Sequence, residues 1–143
     1  MVFKAVAGGR TTYRIIQVKR FKDGWYGVGR GQRLRHDADG LFDGQRYLMR
    51  RPLRVGAEWQ SIPRPGVIER FKVVRVNTRC RPRTRFAKRC VVVEARQNIG
   101  AEVLLTRWWY GRRAGLLRVE VFVQSASGAL TRQSLLQRVE KAP

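Results

Sequence analysis

Acidic residues, histidine and cysteine are all scarce in this sequence, and their scarcity limits the possible functions. Ten Asp and Glu stand against 31 Lys and Arg, so the formal net charge is +21 over 143 residues. His36 is the only histidine, which excludes a multi-histidine metal site within one chain. No apolar run is long enough to span a bilayer. We find no catalytic constellation, so the sequence predicts a non-enzymatic protein without a cofactor or a metal site.

Arginine is the residue that the chain has in abundance. It supplies 25 of the 31 cations, and its planar guanidinium group can bind phosphate or carboxylate through two hydrogen bonds. A folded domain with this charge repels itself and attracts polyanions. Apolar residues still make up 43% of the chain, which is too much for a disordered basic tail. The composition therefore indicates a folded domain whose partner is nucleic acid, another polyanion or an acidic protein.

Hydrophobic residues recur mainly with a period of two, which is typical of β-strands. The clearest case is residues 117–123, where every second residue is Leu or Val. Similar runs lie at residues 11–18, 68–76, 90–96 and 102–110, with turn signals between them. Residues 130–139 alone could be helical, although they fit a strand almost as well. We predict a mostly β fold, a single domain over residues 1–143, with an antiparallel sheet curled into a half-barrel or packed as a two-layer sandwich.

Residues 107–123 predict a β-hairpin that turns between Gly111 and Gly115. The alternation in its second strand predicts a core face formed by Leu117, Val119, Val121 and Val123. It also predicts that Glu120 faces solvent. On this basis Val121→Ala should destabilise the fold by roughly 1 to 3 kcal/mol, whereas Glu120→Gln should cost little.

Four arginines at alternate positions form the first candidate site: Arg79, Arg81, Arg83 and Arg85. In an extended segment, alternate side chains point to the same face and lie about 7 Å apart. That spacing is close to the spacing of phosphates along a nucleic-acid strand, whose backbone charge dominates binding affinity. The alternative is a solvated hairpin whose arginines only keep the protein soluble.

The second candidate site interleaves aromatic and cationic residues over residues 107–113. Trp108 and Trp109 should lie on opposite faces of a strand, so we expect one to be shielded and the other more exposed. An exposed Trp108 beside Arg112 and Arg113 would form a stacking platform for unpaired bases. The alternative is that both tryptophans are packed in the core.

The only acidic cluster lies at residues 36–43, around His36, Asp37, Asp39 and Asp43. Carboxylates at alternate positions before a glycine are one feature of a calcium loop, but further ligands and a closing glutamate are absent. We therefore expect an ordinary aspartate-rich turn. Elsewhere, Cys80 and Cys90 fit either one disulfide or two buried thiols.

Three stretches together resemble a group of small β-rich domains in bacterial exported proteins, many of them known only as lipoproteins of unknown function. The stretch 47–59 resembles that group's tyrosine, Pro-Leu, glycine and tryptophan signature. The stretch 82–93 resembles its proline, phenylalanine and cysteine turn, which is followed by an apolar strand. The stretch 109–117 resembles its C-terminal hairpin. This chain departs from the group in having Arg83, Arg112 and Arg113 where the group has Ala, Pro or Gly in exposed turns.

The resemblance carries over no catalytic residue, and it implies a β-scaffold whose surface has become basic. The family-like turn places Cys90 at the start of a strand, and the two cysteines bracket a nine-residue segment containing Pro82. We therefore expect Cys80 and Cys90 on neighbouring stretches of one hairpin, close enough to bridge in an oxidising compartment. Such a bridge would stabilise the fold by about 2 to 3 kcal/mol.

The function we predict is a non-enzymatic module that binds polyanions through the nucleic-acid backbone with little sequence specificity. One alternative is a structural or interaction domain of the exported lipoprotein type, without a nucleic-acid role. Another is a carrier of a small apolar ligand, with a cavity lined by Trp25, Trp59 and Trp109. The N-terminus lacks a signal peptide, so we expect a cytoplasmic protein, or a cell-envelope protein if the resemblance holds and a signal was removed.

Overall fold

The computed structural model describes residues 1–82 and 84–142, and all regular structure in that part of the chain is β-strand. This confirms the predicted mostly β fold, and residues 130–139 form a strand. No helix among the described residues is long and apolar enough to cross a membrane. The strands are β1 (Val2–Ala7), β2 (Arg10–Ile15), β3 (Val18–Arg20), β4 (Trp25–Val28), β5 (Gln32–His36), β6 (Gly40–Phe42), β7 (Tyr47–Arg50), β8 (Glu58–Arg64), β9 (Val67–Arg79), β10 (Arg89–Ile99), β11 (Glu102–Gly111), β12 (Gly115–Gln124) and β13 (Leu130–Val139).

The strands form two antiparallel sheets in one domain. The larger sheet has eight strands in the order β2-β1-β13-β12-β11-β10-β9-β8, and the smaller has five in the order β3-β4-β5-β6-β7. Neither sheet closes into a barrel, so β2 and β8 are the free edges of the larger sheet. Most neighbouring strands follow each other in sequence, because close turns connect them. The exception is the pairing of β1 with β13, which joins the two ends of the chain.

The main core lies on one face of the larger sheet, where β6 and β7 of the smaller sheet pack against it. Its centre is a row of stacked rings in which Phe71 lies 5.2 Å from Trp59 and 5.8 Å from Trp108, measured between ring centroids. Leu41 and Met49 of the smaller sheet pack against this cluster. Aromatic side chains each bury a large area and dominate core energetics, so this row anchors one sheet on the other.

Polar contacts also join the two sheets. The Trp59 indole Nε1 donates a hydrogen bond of 2.8 Å to the backbone carbonyl oxygen of Tyr47. Arg46 pairs with Asp43 on its own turn and with the buried Glu69 of β9. Burial at the same junction raises the pKa of the Tyr110 phenol. Trp59 is therefore structural.

A second, smaller cluster lies on the opposite face of the larger sheet. It contains Val92, Trp109 and Leu117, and Phe86 from the loop before β10 packs against it. Trp108 and Trp109 therefore do lie on opposite faces. The expectation that one of them is more exposed is wrong, however, because each is only 8% exposed.

The β11–β12 hairpin turns between Gly111 and Gly115 as predicted, but its core face differs from the prediction. A bulge between Trp109 and Tyr110 interrupts the alternation, because one strand carries an extra residue there. Leu117 consequently joins the second cluster, whereas Val119 packs against the first. The prediction of one continuous core face from Leu117 to Val123 is therefore wrong.

Glu120 also differs from the prediction, since it is buried rather than exposed to solvent. It is 6% exposed, and its Oε1 accepts a 2.6 Å hydrogen bond from Arg118. Its Oε2 accepts a longer one, 3.4 Å, from the Trp109 indole. A buried carboxylate needs such partners, because an unpaired charge in the interior is costly.

Candidate functional site

The predicted arginine ladder is only partly formed. Strand β9 ends at Arg79, and residues 80–82 and 84–88 lie outside the sheet. Arg81 lies in the first bend after the strand, and Arg83 lies outside the described residues. Arg85 is engaged elsewhere, 2.5 Å from Glu140 and over the ring of Phe86. The prediction of one extended face is therefore wrong at Arg81 and Arg85.

Two members of the ladder instead meet two other arginines in a groove. Arg79 and Arg81 line it together with Arg75 of β9 and Arg89 of β10, and its volume is about 490 Å³. Arg79 and Arg89 are direct cross-strand neighbours in the β9–β10 register. All four side chains are exposed. We call this set of four residues the arginine groove.

A bulge in β9 builds the arginine groove. In the β9–β10 pairing, Thr78 lies opposite Cys90 and Arg75 lies opposite Val92. Three residues of β9 therefore span the same length as two residues of β10, so β9 carries an extra residue here. Asn77 takes up the irregularity with a left-handed backbone (φ 54°), which Asn tolerates better than most residues. Its carbonyl oxygen accepts a 3.1 Å hydrogen bond from Arg89. Bulges bend a strand and redirect its side chains, and here the bulge puts Arg75 and Arg79 on opposite faces at the edge of β9, where both line the groove.

A disulfide holds the base of the arginine groove. Cys80 and Cys90 are bridged, with their Cα atoms 5.1 Å apart, which confirms the predicted pairing. Each cysteine directly follows an arginine of the groove, namely Arg79 or Arg89. Both cysteines are buried in the second cluster beside Trp109. The bridge therefore fixes the two arginines next to each other.

The charges in the arginine groove are uncompensated. Within the described residues, none of its four arginines has a carboxylate within 4 Å, although seven carboxylates elsewhere form such pairs. Like charges directly opposite each other in a sheet destabilise it, by roughly 0.2 to 1 kcal/mol per pair. Arg79 and Arg89 are such a pair. A bound anion would turn this repulsion into attraction.

The predicted residues Arg112 and Arg113 lie next to this groove without lining it. They form the exposed β11–β12 turn, and Arg113 has a left-handed backbone with φ of 61°. The backbone N–H of Arg112 donates a 3.3 Å hydrogen bond to the carbonyl oxygen of Arg89. The turn therefore brings two further positive charges to the same end of the sheet.

Trp108 is not part of the site. Its ring is stacked on Phe71 in the main core and is nearly inaccessible. A base cannot reach it, so the predicted stacking role of Trp108 is wrong. The aromatic and basic pattern at residues 107–113 instead reflects a central strand whose two faces are both covered.

Sequence reasoning missed two residues of the groove, Arg75 and Arg89. A signal for Arg89 was present, since a Cys80–Cys90 bridge in a hairpin brings the preceding residues Arg79 and Arg89 together. Arg75 is in phase with the arginine ladder, four residues before Arg79, but Asn77 interrupts the run of arginines, so the predicted ladder began at Arg79.

The remaining candidate sites have structural roles. Asp37 closes a turn by accepting backbone hydrogen bonds of 3.0 Å from Asp39 and Gly40, as expected of an aspartate-rich turn. Burial acts to raise the pKa of Asp37, but these amides, with Arg35 and Tyr47, outweigh it and leave the pKa lowered. Among the described residues, no three metal-binding side chains come together.

The three tryptophans proposed to line an apolar cavity lie in different places. Trp25 packs against Phe42 in the smaller sheet, whereas Trp59 and Trp109 belong to clusters on opposite faces of the larger one. None of the grooves found among the described residues is lined by all three.

Comparison of the chain with protein-family models, with curated proteins and with solved structures gave no match. The resemblance to domains of bacterial exported proteins therefore stays a prediction.

Proposed function

We propose that this protein is a non-enzymatic module that binds polyanions, with the phosphate backbone of nucleic acid as its ligand. The arginine groove is the proposed binding site. The observation that carries the proposal is the convergence of Arg75, Arg79, Arg81 and Arg89 on one groove without a carboxylate partner among the described residues. Guanidinium groups bind phosphate through paired hydrogen bonds, and each contact releases counterions from the nucleic acid.

This mode of binding has little sequence specificity, because phosphate contacts position a protein on nucleic acid without reading its bases. The nearest tryptophan, Trp109, is buried and cannot stack on a base. The affinity would therefore come mainly from electrostatics and would fall steeply with salt.

The proposal is tested by removing the four charges of the groove. We expect R75Q/R79Q/R81Q/R89Q to weaken DNA binding and to lower the log–log salt slope by roughly 3 units, since each lost phosphate contact accounts for about 0.7 to 0.9. Fluorescence anisotropy with a labelled oligonucleotide, measured at several salt concentrations, gives both quantities.

A matched control separates the groove from the overall charge. R10Q/R14Q/R20Q/R30Q removes the same four charges from exposed positions that line neither this groove nor its neighbours. We expect the control to lose much less affinity. If the two quadruple variants lose equal affinity, the charge acts diffusely and the groove is not the site.

A second candidate function is a structural or interaction domain of an exported protein. The Cys80–Cys90 disulfide favours it, because such bridges persist mainly in oxidising compartments. The arginines would then provide solubility, attachment to an anionic envelope surface or contact with an acidic protein. This function predicts no measurable binding of nucleic acid at physiological salt by the wild-type protein.

A further inference from the structure

Strand β9 places three cations on the face of the larger sheet that carries the second cluster. Arg96, Glu94 and Val92 alternate along β10 and therefore point to one face, and their register partners on β9 are Arg70, Lys72 and Arg75. Along β9, Arg70 and Lys72 are two residues apart, whereas Lys72 and Arg75 are three residues apart. The extra residue between Lys72 and Arg75 falls at a bulge between Val73 and Arg75, which restores Arg75 to the same face.

A second groove is recessed into this face beside the free edge strand β8. We call it the edge groove. Its volume is about 730 Å³, within the range typical of binding pockets. Its polar lining residues are Glu58, Gln60, Arg70, Lys72, Glu94 and Arg96. Val74 lines both the edge groove and the arginine groove, so the two adjoin each other.

The edge groove also contains a repelling arginine pair. Arg70 and Arg96 are direct cross-strand neighbours, and Arg70 has no carboxylate within 4 Å among the described residues. Arg96 lies 3.9 Å from Glu94, but that carboxylate is bound more closely by Arg107, at 2.6 Å. The Arg70–Arg96 pair is thus only weakly compensated, through Arg96, whereas Arg79 and Arg89 have no carboxylate partner among the described residues.

We propose that the two grooves form one continuous track along β9 that holds a single strand of nucleic acid. On the face that carries the second cluster, the track runs from the Arg70–Arg96 pair past Lys72 and Val74 to Arg75. Arg79 and Arg89 directly precede the cysteines of that cluster and so point to the opposite face. The track reaches them around the edge of β9 that β8 leaves unpaired. Its length is roughly 25 to 30 Å at about 3.3 Å per residue. This corresponds to about five nucleotides of extended strand, at the lower end of the range for single-strand-binding folds. The inference rests on the proposed function and defines its substrate class.

The shape of the track favours a single strand over a duplex. The track changes face at the edge of β9, and a flexible single strand can follow such a path, whereas a duplex is stiff over this length. Trp59 and Phe71 also line the edge groove, but their rings are buried in the main core and provide no stacking surface. Binding would therefore depend on the backbone, with little preference among bases.

The experiment measures affinity against oligonucleotide length. Labelled oligothymidylates of about 2 to 12 nucleotides, together with a duplex of matched length, are titrated against wild type, R70Q/R96Q and the control R10Q/R14Q. We expect wild-type affinity to rise with length up to about five nucleotides and then to level off. In R70Q/R96Q the increase of affinity with oligonucleotide length should stop about two nucleotides earlier. The slope of log affinity against log salt concentration should fall by roughly 1.4 units. The control should keep the wild-type length dependence.

Three outcomes would overturn the track. The first is that R70Q/R96Q behaves like R10Q/R14Q, and the second is that duplex binds as tightly as single strand. The third is that a polyglutamate peptide of equal charge competes as well as the oligonucleotide, which would indicate an acidic protein partner. If R70Q/R96Q has no specific effect while R75Q/R79Q/R81Q/R89Q does, the track fails and the arginine groove stands. If neither variant differs from its control, both proposals fail.

Discussion

At the residue scale, the positions of the few carboxylates decide which arginines remain available. One cross-strand row of the larger sheet alternates in charge from β8 to β12: Glu58, Lys72, Glu94, Arg107 and Glu120. Arg107 binds Glu94, and Arg118 binds Glu120. Seven of the ten carboxylates form ion pairs among the described residues, four of them on strands of the larger sheet. Arg70 and the four arginines of the arginine groove are left without a carboxylate partner among the described residues.

Glu120 is the member of this row whose neutralisation we expect to be most costly. Its carboxylate is buried, and Arg118 beside it is largely shielded as well. Glu120→Gln should destabilise the fold by about 1 to 3 kcal/mol, because it leaves a shielded guanidinium group without its counter-charge. This reverses the expectation from the sequence. Urea unfolding measures the change in the free energy of unfolding.

Glu102→Gln is the matched control for this prediction. Glu102 begins β11, is exposed and forms no ion pair among the described residues, so its replacement should change stability by less than about 0.5 kcal/mol. If Glu120→Gln and Glu102→Gln unfold with equal urea midpoints and equal slopes, the role given to Glu120 is contradicted.

At the element scale, the Cys80–Cys90 bridge joins the end of β9 to the start of β10. We expect Cys80→Ala/Cys90→Ala to lower the free energy of unfolding by about 2 to 3 kcal/mol, because the bridge no longer restricts the unfolded chain. It should also weaken oligonucleotide binding, since the bridge fixes Arg79 beside Arg89. Urea unfolding and anisotropy titrations measure the two effects.

Reduction of the wild-type protein provides the control for the disulfide. A thiol reductant should shift the wild-type urea midpoint toward that of the double variant, and it should leave the double variant unchanged. If the fully reduced wild type unfolds at the same urea concentration as the oxidised protein, the bridge contributes nothing to stability.

The strands could be predicted from the sequence, but the bulges could not. A period of two identifies a strand such as β12 and its turn at residues 111–115, and the spacing of the cysteines allowed their pairing to be predicted. A bulge adds one residue to one partner of a pair, and a single sequence carries no sign of that register shift. For this reason the core face of β12 was predicted wrongly.

The burial of both faces of the central strand β11 could not be predicted from the sequence either. The sequence placed Trp108 and Trp109 on opposite faces, which is correct. It could not indicate that β6 and β7 cover one face while a loop carrying Phe86 covers the other. Such coverage comes from contacts that are distant in sequence, so local patterns do not reveal it.

At the scale of the whole molecule, the net charge of +21 has opposite effects on folding and on binding. Self-repulsion destabilises the compact state of a highly charged protein, and salt screens this repulsion with a Debye length of about 10 Å at 0.1 M. Salt also weakens the internal ion pairs, but these are few compared with the unpaired arginines, and the more buried pairs are screened less. The repulsive contribution should therefore dominate the salt dependence of stability.

We accordingly expect the melting temperature to rise between about 20 and 300 mM NaCl while the affinity for oligonucleotide falls over the same range. Both quantities can be measured on one sample series, by circular dichroism and by fluorescence anisotropy. The R75Q/R79Q/R81Q/R89Q variant should gain less stability from salt than wild type, because part of the repulsion has already been removed. It should also melt at a higher temperature than wild type at low salt, since its arginines make no compensating ion pairs among the described residues. A variant that is less stable than wild type at low salt would show that these arginines stabilise the fold, and their presence in the groove would then need no ligand as its explanation.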